Sequence, residues 1–193
     1  MIDLTRFALK GQVALVTGGS RGIGQATAIG LAKAGADVVV ASRKLPELEQ
    51  VAGEIRRQGV KALAVEAHIG RMDQISSLVE KVVAEFGKID ILVNNAGTSP
   101  VFTPSLELEE RAWDTIIGLN LKGLFFLSQA VARVMKEYGG GKIINVSSID
   151  GFKPEVNIGA YAISKAGVVM VTRARSASTK SGRLRNFLMT LKM

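Results

Sequence analysis

Apolar, β-branched runs alternate with amphipathic stretches along most of this chain. Gln12-Val13-Ala14-Leu15-Val16-Thr17, Asp37-Val38-Val39-Val40-Ala41, Lys61-Ala62-Leu63-Ala64-Val65-Glu66, Ile89-Asp90-Ile91-Leu92-Val93-Asn94 and Lys142-Ile143-Ile144-Asn145-Val146 read as five buried strands. Between them the apolar positions recur at helical spacing. The predicted helices run from Ile23 to Ala32, from Leu45-Pro46-Glu47 to Gly59, from Met72 to a stop at Gly87, and from Glu107 to Tyr138. Strict alternation predicts an α/β chain, a parallel sheet covered on both faces, as a single domain over residues 1–193. Right-handed crossovers then give a doubly wound sheet of order 3-2-1-4-5. Its ligand crevice lies beyond the strand ends, where strands 1 and 4 diverge.

The first strand runs into Thr17-Gly18-Gly19-Ser20-Arg21-Gly22-Ile23-Gly24, and a helix follows. Strand, glycine turn and helix together make a phosphate-binding reading meaningful; a lone glycine cluster reads as an ordinary loop. Gly18 permits the tight turn, and Gly22 and Gly24 let backbone approach a pyrophosphate and helix pack on strand. The helix N-terminus adds N–H groups and dipole. Dinucleotide binding is the expectation.

Tyr161 and Lys165 are four residues apart in Ala160-Tyr161-Ala162-Ile163-Ser164-Lys165. On a helix they share a face, with Cβ atoms about 6 Å apart. An ammonium beside a phenol favours the phenolate, so the tyrosine is expected to titrate below its reference value near 10. Such a group can protonate a carbonyl oxygen or accept a proton from an alcohol. Ser148, after strand five, and Tyr161, opening the next helix, both fall at the ligand end of the sheet.

Composition removes several alternatives. The 193 residues contain no cysteine, which excludes thiolate zinc sites and thiol nucleophiles, and the single histidine, His68, cannot build a metal site. No signal-peptide pattern or run of membrane-spanning length is read, so a cytoplasmic chain without a membrane partner is expected. The net charge of +8 suggests nucleic acid until it is located. No Asp or Glu follows Glu155, whereas seven basic residues do: Lys165, Arg173, Arg175, Lys180, Arg183, Arg185 and Lys192. Removing those seven from the 25 basic residues leaves 18 against 17 acidic ones in residues 1–155. The body therefore offers no basic face for nucleic acid.

The pieces Thr17-Gly18-x-x-x-Gly22-x-Gly24, Asn94-Asn95-Ala96-Gly97, Asn120, Ser148 and Tyr161-x-x-x-Lys165 resemble, in order and spacing, the short-chain dehydrogenase/reductase family over residues 7 to about 174. The resemblance implies a Rossmann-like fold, NAD(P)-dependent interconversion of carbonyl and alcohol, and a homodimer or homotetramer. It implies that Tyr161 is the proton donor and acceptor, and that Lys165 tunes it and holds the nicotinamide ribose. Ser148 would bond the substrate oxygen and Asn120 would anchor a water in the proton relay. The thirteen-residue gap to Tyr161 picks Ser148 over its neighbour Ser147. Gly18, Ser20, Arg21, Gly22, Ile23, Gly24, Asn95, Ala96 and Gly97 would line the cofactor groove, with Asn94 tying the sheet. His68 and Ile69 would lie near the adenine.

Ser42-Arg43 ends strand two, about where an acidic residue would select NAD and an arginine would accept a 2′-phosphate. No carboxylate stands there, and Arg21 in the turn can add a second guanidinium. NADP(H) is the expected cofactor. Phe102, Pro154 and Val156 would form an apolar substrate pocket. Trp113 and the Phe125-Phe126 pair would serve core or subunit interface.

The resemblance stops near Ala174. The family would continue with two further strands, and the acid-free tail from about residue 175 carries no such pattern. The sequence thus leads one to expect a C-terminally truncated or altered member lacking those strands, its fifth strand left as an edge. Alternative roles are a non-catalytic cofactor-binding or dimer-interfering form and, more remotely, nucleic-acid binding through the basic tail.

Overall fold

A computed structural model describes residues 8–178 and 184–191, with side chains described through Ala174 and at Met189. Strands β1 (Val13–Thr17), β2 (Asp37–Ser42), β3 (Ala62–Glu66), β4 (Ile91–Asn94) and β5 (Gly141–Ser148) are all parallel, in the expected order 3-2-1-4-5. A sixth strand, β6 (Leu184–Leu191), pairs parallel outside β5, where the sequence leads one to expect none. Its register runs unbroken from Gly141 opposite Leu184 to Ser148 opposite Leu191, so β5 is a paired strand and not an edge.

Alternate residues of the central strands point to opposite faces, and both faces are buried. Val13, Leu15, Val39 and Ala41 pack with Ile75, Leu78 and Val82 of α3 (Met72–Phe86) and with Leu127, Val131 and Met135 of α5 (Leu124–Glu137). Ala14, Val16, Val38 and Val40 pack on Ala28 and Ala32 of α1 (Gly22–Lys33) and on Leu48, Val51 and Ile55 of α2 (Leu45–Arg56). Each central strand has two apolar faces, which is why the strands read as continuous runs.

The stretch read as one helix from Glu107 to Tyr138 is a continuous helical run from Glu110 to Glu137 whose winding changes along it. A 3₁₀ turn (Ser105–Glu107) precedes α4 (Glu110–Ile117), and a π turn over Gly118–Gly123 leads directly into α5. Together, Glu110–Glu137 is long and apolar enough to cross a bilayer, which the sequence reading did not anticipate. Here Leu127, Val131 and Met135 pack in the core against the sheet, and Leu124 is buried too, so part of that hydrophobicity is used in the core. After β5, a short 3₁₀ turn (Ile149–Gly151) leads towards α6 (Gly159–Ser178), which packs on β5.

Candidate active site

The ends of β1 and β4 are clipped together at the glycine turn. Thr17 Oγ1 accepts the N–H groups of Asn95 and Ala96, both at 3.1 Å. Asn95 Nδ2 in turn donates to the carbonyls of Thr17 at 3.0 Å and Gly18 at 3.2 Å. Gly18 has φ +64, and a Cβ there would stand 2.8 Å from Asn95 Nδ2. At Gly24 a Cβ would run into the Gly18 carbonyl, so the helix can approach the turn only as glycine. The N-terminus of α1 has no side-chain cap and no acidic residue in its first turn, leaving its N–H groups for an anion.

An open groove runs from this turn across the ends of β2 and β4. Gly18, Ser20, Arg21, Gly22 and Ile23 form one wall, and Asn95, Ala96 and Gly97 form the other. Ser42, Arg43, His68 and Ile69 close the far end. Of the predicted groove residues outside the catalytic set, only Gly24 is withdrawn from the surface, into the helix–turn contact. The sequence missed Lys44, Glu47, Ala41, Ala67 and Leu119, which line it too. Glu47 matters most. No carboxylate was expected here, yet α2 begins so soon after β2 that its first turn returns Glu47 to the groove. Lys44 binds that carboxylate at 2.8 Å and holds it below the usual range. Burial, then the nearby Arg43, pushes the His68 imidazole down, favouring its neutral form.

Asn120, Ser148, Tyr161 and Lys165 are all buried, and the fold brings them to the carboxyl ends of β4 and β5. The π turn carries Asn120 inward. Its Oδ1 accepts the N–H of Thr98 at 2.8 Å, and its Nδ2 donates to the Thr98 carbonyl at 2.9 Å and to Ser164 Oγ at 3.1 Å. A Cβ on Gly97 would lie 3.5 Å from Asn120 Oδ1 and 3.6 Å from Lys165 Nζ, so groove and buried cluster meet there. Lys165 Nζ lies 5.6 Å from the Tyr161 ring centroid. Ser148 is the last residue of β5 and not the first beyond it. Ser147 turns the other way and donates to the Lys165 carbonyl at 2.9 Å, tying β5 to α6. Asn94 has the tying role read from the sequence: its Nδ2 donates to Ser128 Oγ and Asn145 Oδ1, both at 2.8 Å.

The expected lowering of the tyrosine is overturned. Burial is the largest influence and raises Tyr161 above the usual phenol range; the Asp150 carboxylate adds to this, and Ser148 opposes it. Burial likewise pushes Lys165 down to about 8. Nearness along a helix is visible in the sequence, whereas the dielectric around the pair is a product of packing.

A second, small hollow of about 10 Å³, roughly the room one water needs, opens beside Tyr161. Its walls include Val101, Leu108, Ile116 and Ile158, whereas Phe102, Pro154 and Val156 stand exposed outside it. Trp113, Phe125 and Phe126 are each more than a third exposed, the two phenylalanine rings meeting edge to face at 5.4 Å. Among the described residues no group of acidic or histidine side chains could hold a metal.

The chain is 42% identical over 171 residues to the 2-dehydro-3-deoxy-D-gluconate 5-dehydrogenase of Escherichia coli (strain K12). That alignment covers 88% of this chain and 66% of the relative, so the chain spans just under two thirds of the relative's length. A metagenomic short-chain oxidoreductase solved in complex with NADP is 36% identical, with a TM-score of 0.90 over 94% of this chain and 82% of that one. A 7α-hydroxysteroid dehydrogenase complexed with NADH and 7-oxo glycochenodeoxycholic acid superposes with a TM-score of 0.93, at 32% identity, over 98% of this chain and 74% of that one. The sequence model of the short chain dehydrogenases matches residues 12–185. With its parallel sheet, glycine turn and buried Tyr161–Lys165 pair, the chain belongs to the short-chain dehydrogenase family.

Proposed function

We propose that this chain is an NADP(H)-dependent oxidoreductase that interconverts a carbonyl and an alcohol. The observation that carries the reading is the meeting of groove and buried cluster at Gly97, beside both Asn120 Oδ1 and Lys165 Nζ. The cradle fits a dinucleotide: a Cβ at Gly18 or Gly24 would fill it, and the uncapped start of α1 faces it. When bound, the nicotinamide supplies or accepts the hydride. The chain's own groups then handle the proton and the orientation. Tyr161, buried and protonated near neutral pH, gives its proton to the carbonyl oxygen as hydride arrives at carbon. Lys165 holds positive charge at the ribose end of the groove, and Ser148 orients the substrate oxygen. Asn120 fixes the Thr98 loop against α6.

Arg21, Arg43 and Lys44 around the far end of the groove support a 2′-phosphate, since guanidinium groups bind phosphate in two-point fashion. The related structures include both NADP and NADH complexes, so the basic end of this groove is the argument for NADP(H). Assembly as a homodimer or homotetramer belongs to the same proposal, supported by the partly exposed Trp113, Phe125 and Phe126. The test is binding of NADPH and NADH to the purified chain, followed by loss of NADPH absorbance with a panel of ketones. Tighter NADPH binding and turnover abolished by Tyr161→Phe are expected. Failure to bind either nucleotide overturns the reading.

A further inference from the structure

Ser148 and Asp150 are bonded to each other at the heart of the site. Ser148 Oγ donates to Asp150 Oδ2 at 2.7 Å and accepts the N–H of Asp150 at 3.2 Å. Asp150 is only 8% exposed, and no ion pair among the described residues involves it. A serine hydroxyl has one proton to give. Here that proton is committed to a carboxylate, and Ser148 can donate to a phenolate only by releasing it.

We propose that Asp150 is a positioning residue: by holding the Ser148 proton and placing a buried charge near Tyr161, it keeps the phenol a proton donor in the ligand-free site. The proposal rests on the reading of Tyr161 as the acid/base group. Two effects act in the same direction. The carboxylate holds the proton that Ser148 could otherwise give a phenolate, which limits how far the Ser148–Tyr161 bond can lower the phenol, and its own negative charge repels a phenolate. The raised titration of Tyr161, to which Asp150 contributes, agrees.

The other charges on the described elements packed against α6 are Lys142 on β5, Arg111, Asp114 and Glu110 on α4, Lys122 on the π turn, and Arg185, by sequence, on β6. Asp150 is the charged group with a resolved influence on the phenol, and Lys165 is its cationic neighbour on the same helix.

The chain's two tyrosines allow a direct test. In a Tyr138→Phe background, ultraviolet difference absorbance of the ligand-free protein reads the ionisation of Tyr161 alone. Asp150→Asn removes the charge and keeps an acceptor for Ser148; Asp150→Ala also frees the serine. The titration midpoint is expected to fall by about half to one pH unit in the first variant, as for the loss of one nearby, partly screened charge. It should fall further in the second. Adding Ser148→Ala should erase the difference between the two. Circular dichroism selects the folded variants, and Asp150→Ser stands in for either that does not fold. An unchanged midpoint in folded variants overturns the proposal. Because the titration needs no turnover, a chain that binds no nucleotide would refute the proposed function and leave this result intact.

Discussion

Lys165 Nζ donates to the carbonyl of Val146 at 2.9 Å, so the buried ammonium is held by the end of β5. The interaction with Tyr161 is a looser one, over the ring. Charge is therefore stored at this site at a cost to the fold.

That cost has a pH signature. Lys165 titrates near 10.5 when unfolded and about 8 in the fold. The penalty is therefore fully present below pH 8 and vanishes as pH rises towards 10.5, where both states are neutral. A shift of this size corresponds to about 3 kcal/mol, of which the lost Val146 bond returns about 1. Lys165→Met is expected to be more stable than the parent at pH 7 by about 1–2 kcal/mol and inactive. Urea unfolding at pH 7 and pH 10.5 checks this: an advantage that persists at the higher pH contradicts it.

Ser147 and Ser148 should separate stability from chemistry. Ser147→Ala removes a buried bond between β5 and α6 and should cost about 1 kcal/mol with turnover largely kept. Ser148→Ala strands the buried Asp150 carboxylate and should cost about 1–3 kcal/mol, and it alone of the two should also reduce kcat about a hundredfold or more. Equal effects on both properties in the two variants would refute the assignment.

At the far end of the groove, Arg43→Ala is expected to weaken NADPH binding about ten- to a hundredfold, the worth of a charge-assisted contact. NADH binding should hardly move. Glu47→Gln should tighten NADPH by removing a like charge from the same rim. Dissociation constants from nucleotide fluorescence decide it; parallel losses for both nucleotides after Arg43→Ala would remove the 2′-phosphate argument.

Gly24→Ala places a methyl group against the Gly18 carbonyl and Asn95 Nδ2. Nucleotide binding should be lost, and stability should fall by about 1–3 kcal/mol, as in other overpacked sites. Wild-type affinity in this variant would show that the turn relaxes freely.

Strand order was legible because β1, β2 and β4 carry unbroken apolar runs, and Gly87, with φ +76, ends α3 as read. The groove followed from the same turn and strand ends. What escaped detection depends on three-dimensional return or on burial. Glu47 and Asp150 reach the site because a helix and a 3₁₀ turn fold back within a few residues of a strand end. The π turn keeps apolar spacing close to that of a helix, so the change of winding within Glu110–Glu137 left no mark in the sequence. β6 (Leu-Arg-Asn-Phe-Leu-Met-Thr-Leu) has no valine or isoleucine and only one β-branched residue, and it gave little strand signal.

The π turn lets one continuous helical stretch serve two masters. Along α5 the side chains keep the phase needed to lie flat on the sheet, while the wider turn at Gly118–Gly123 moves Asn120 out of that phase and up to Thr98 and Ser164. Shortening the turn by one residue would restore an ordinary helix and leave the apolar stripe usable. The same edit would swing Asn120 away from its partners. In this short segment the needs of folding and of catalysis are written in different reading frames.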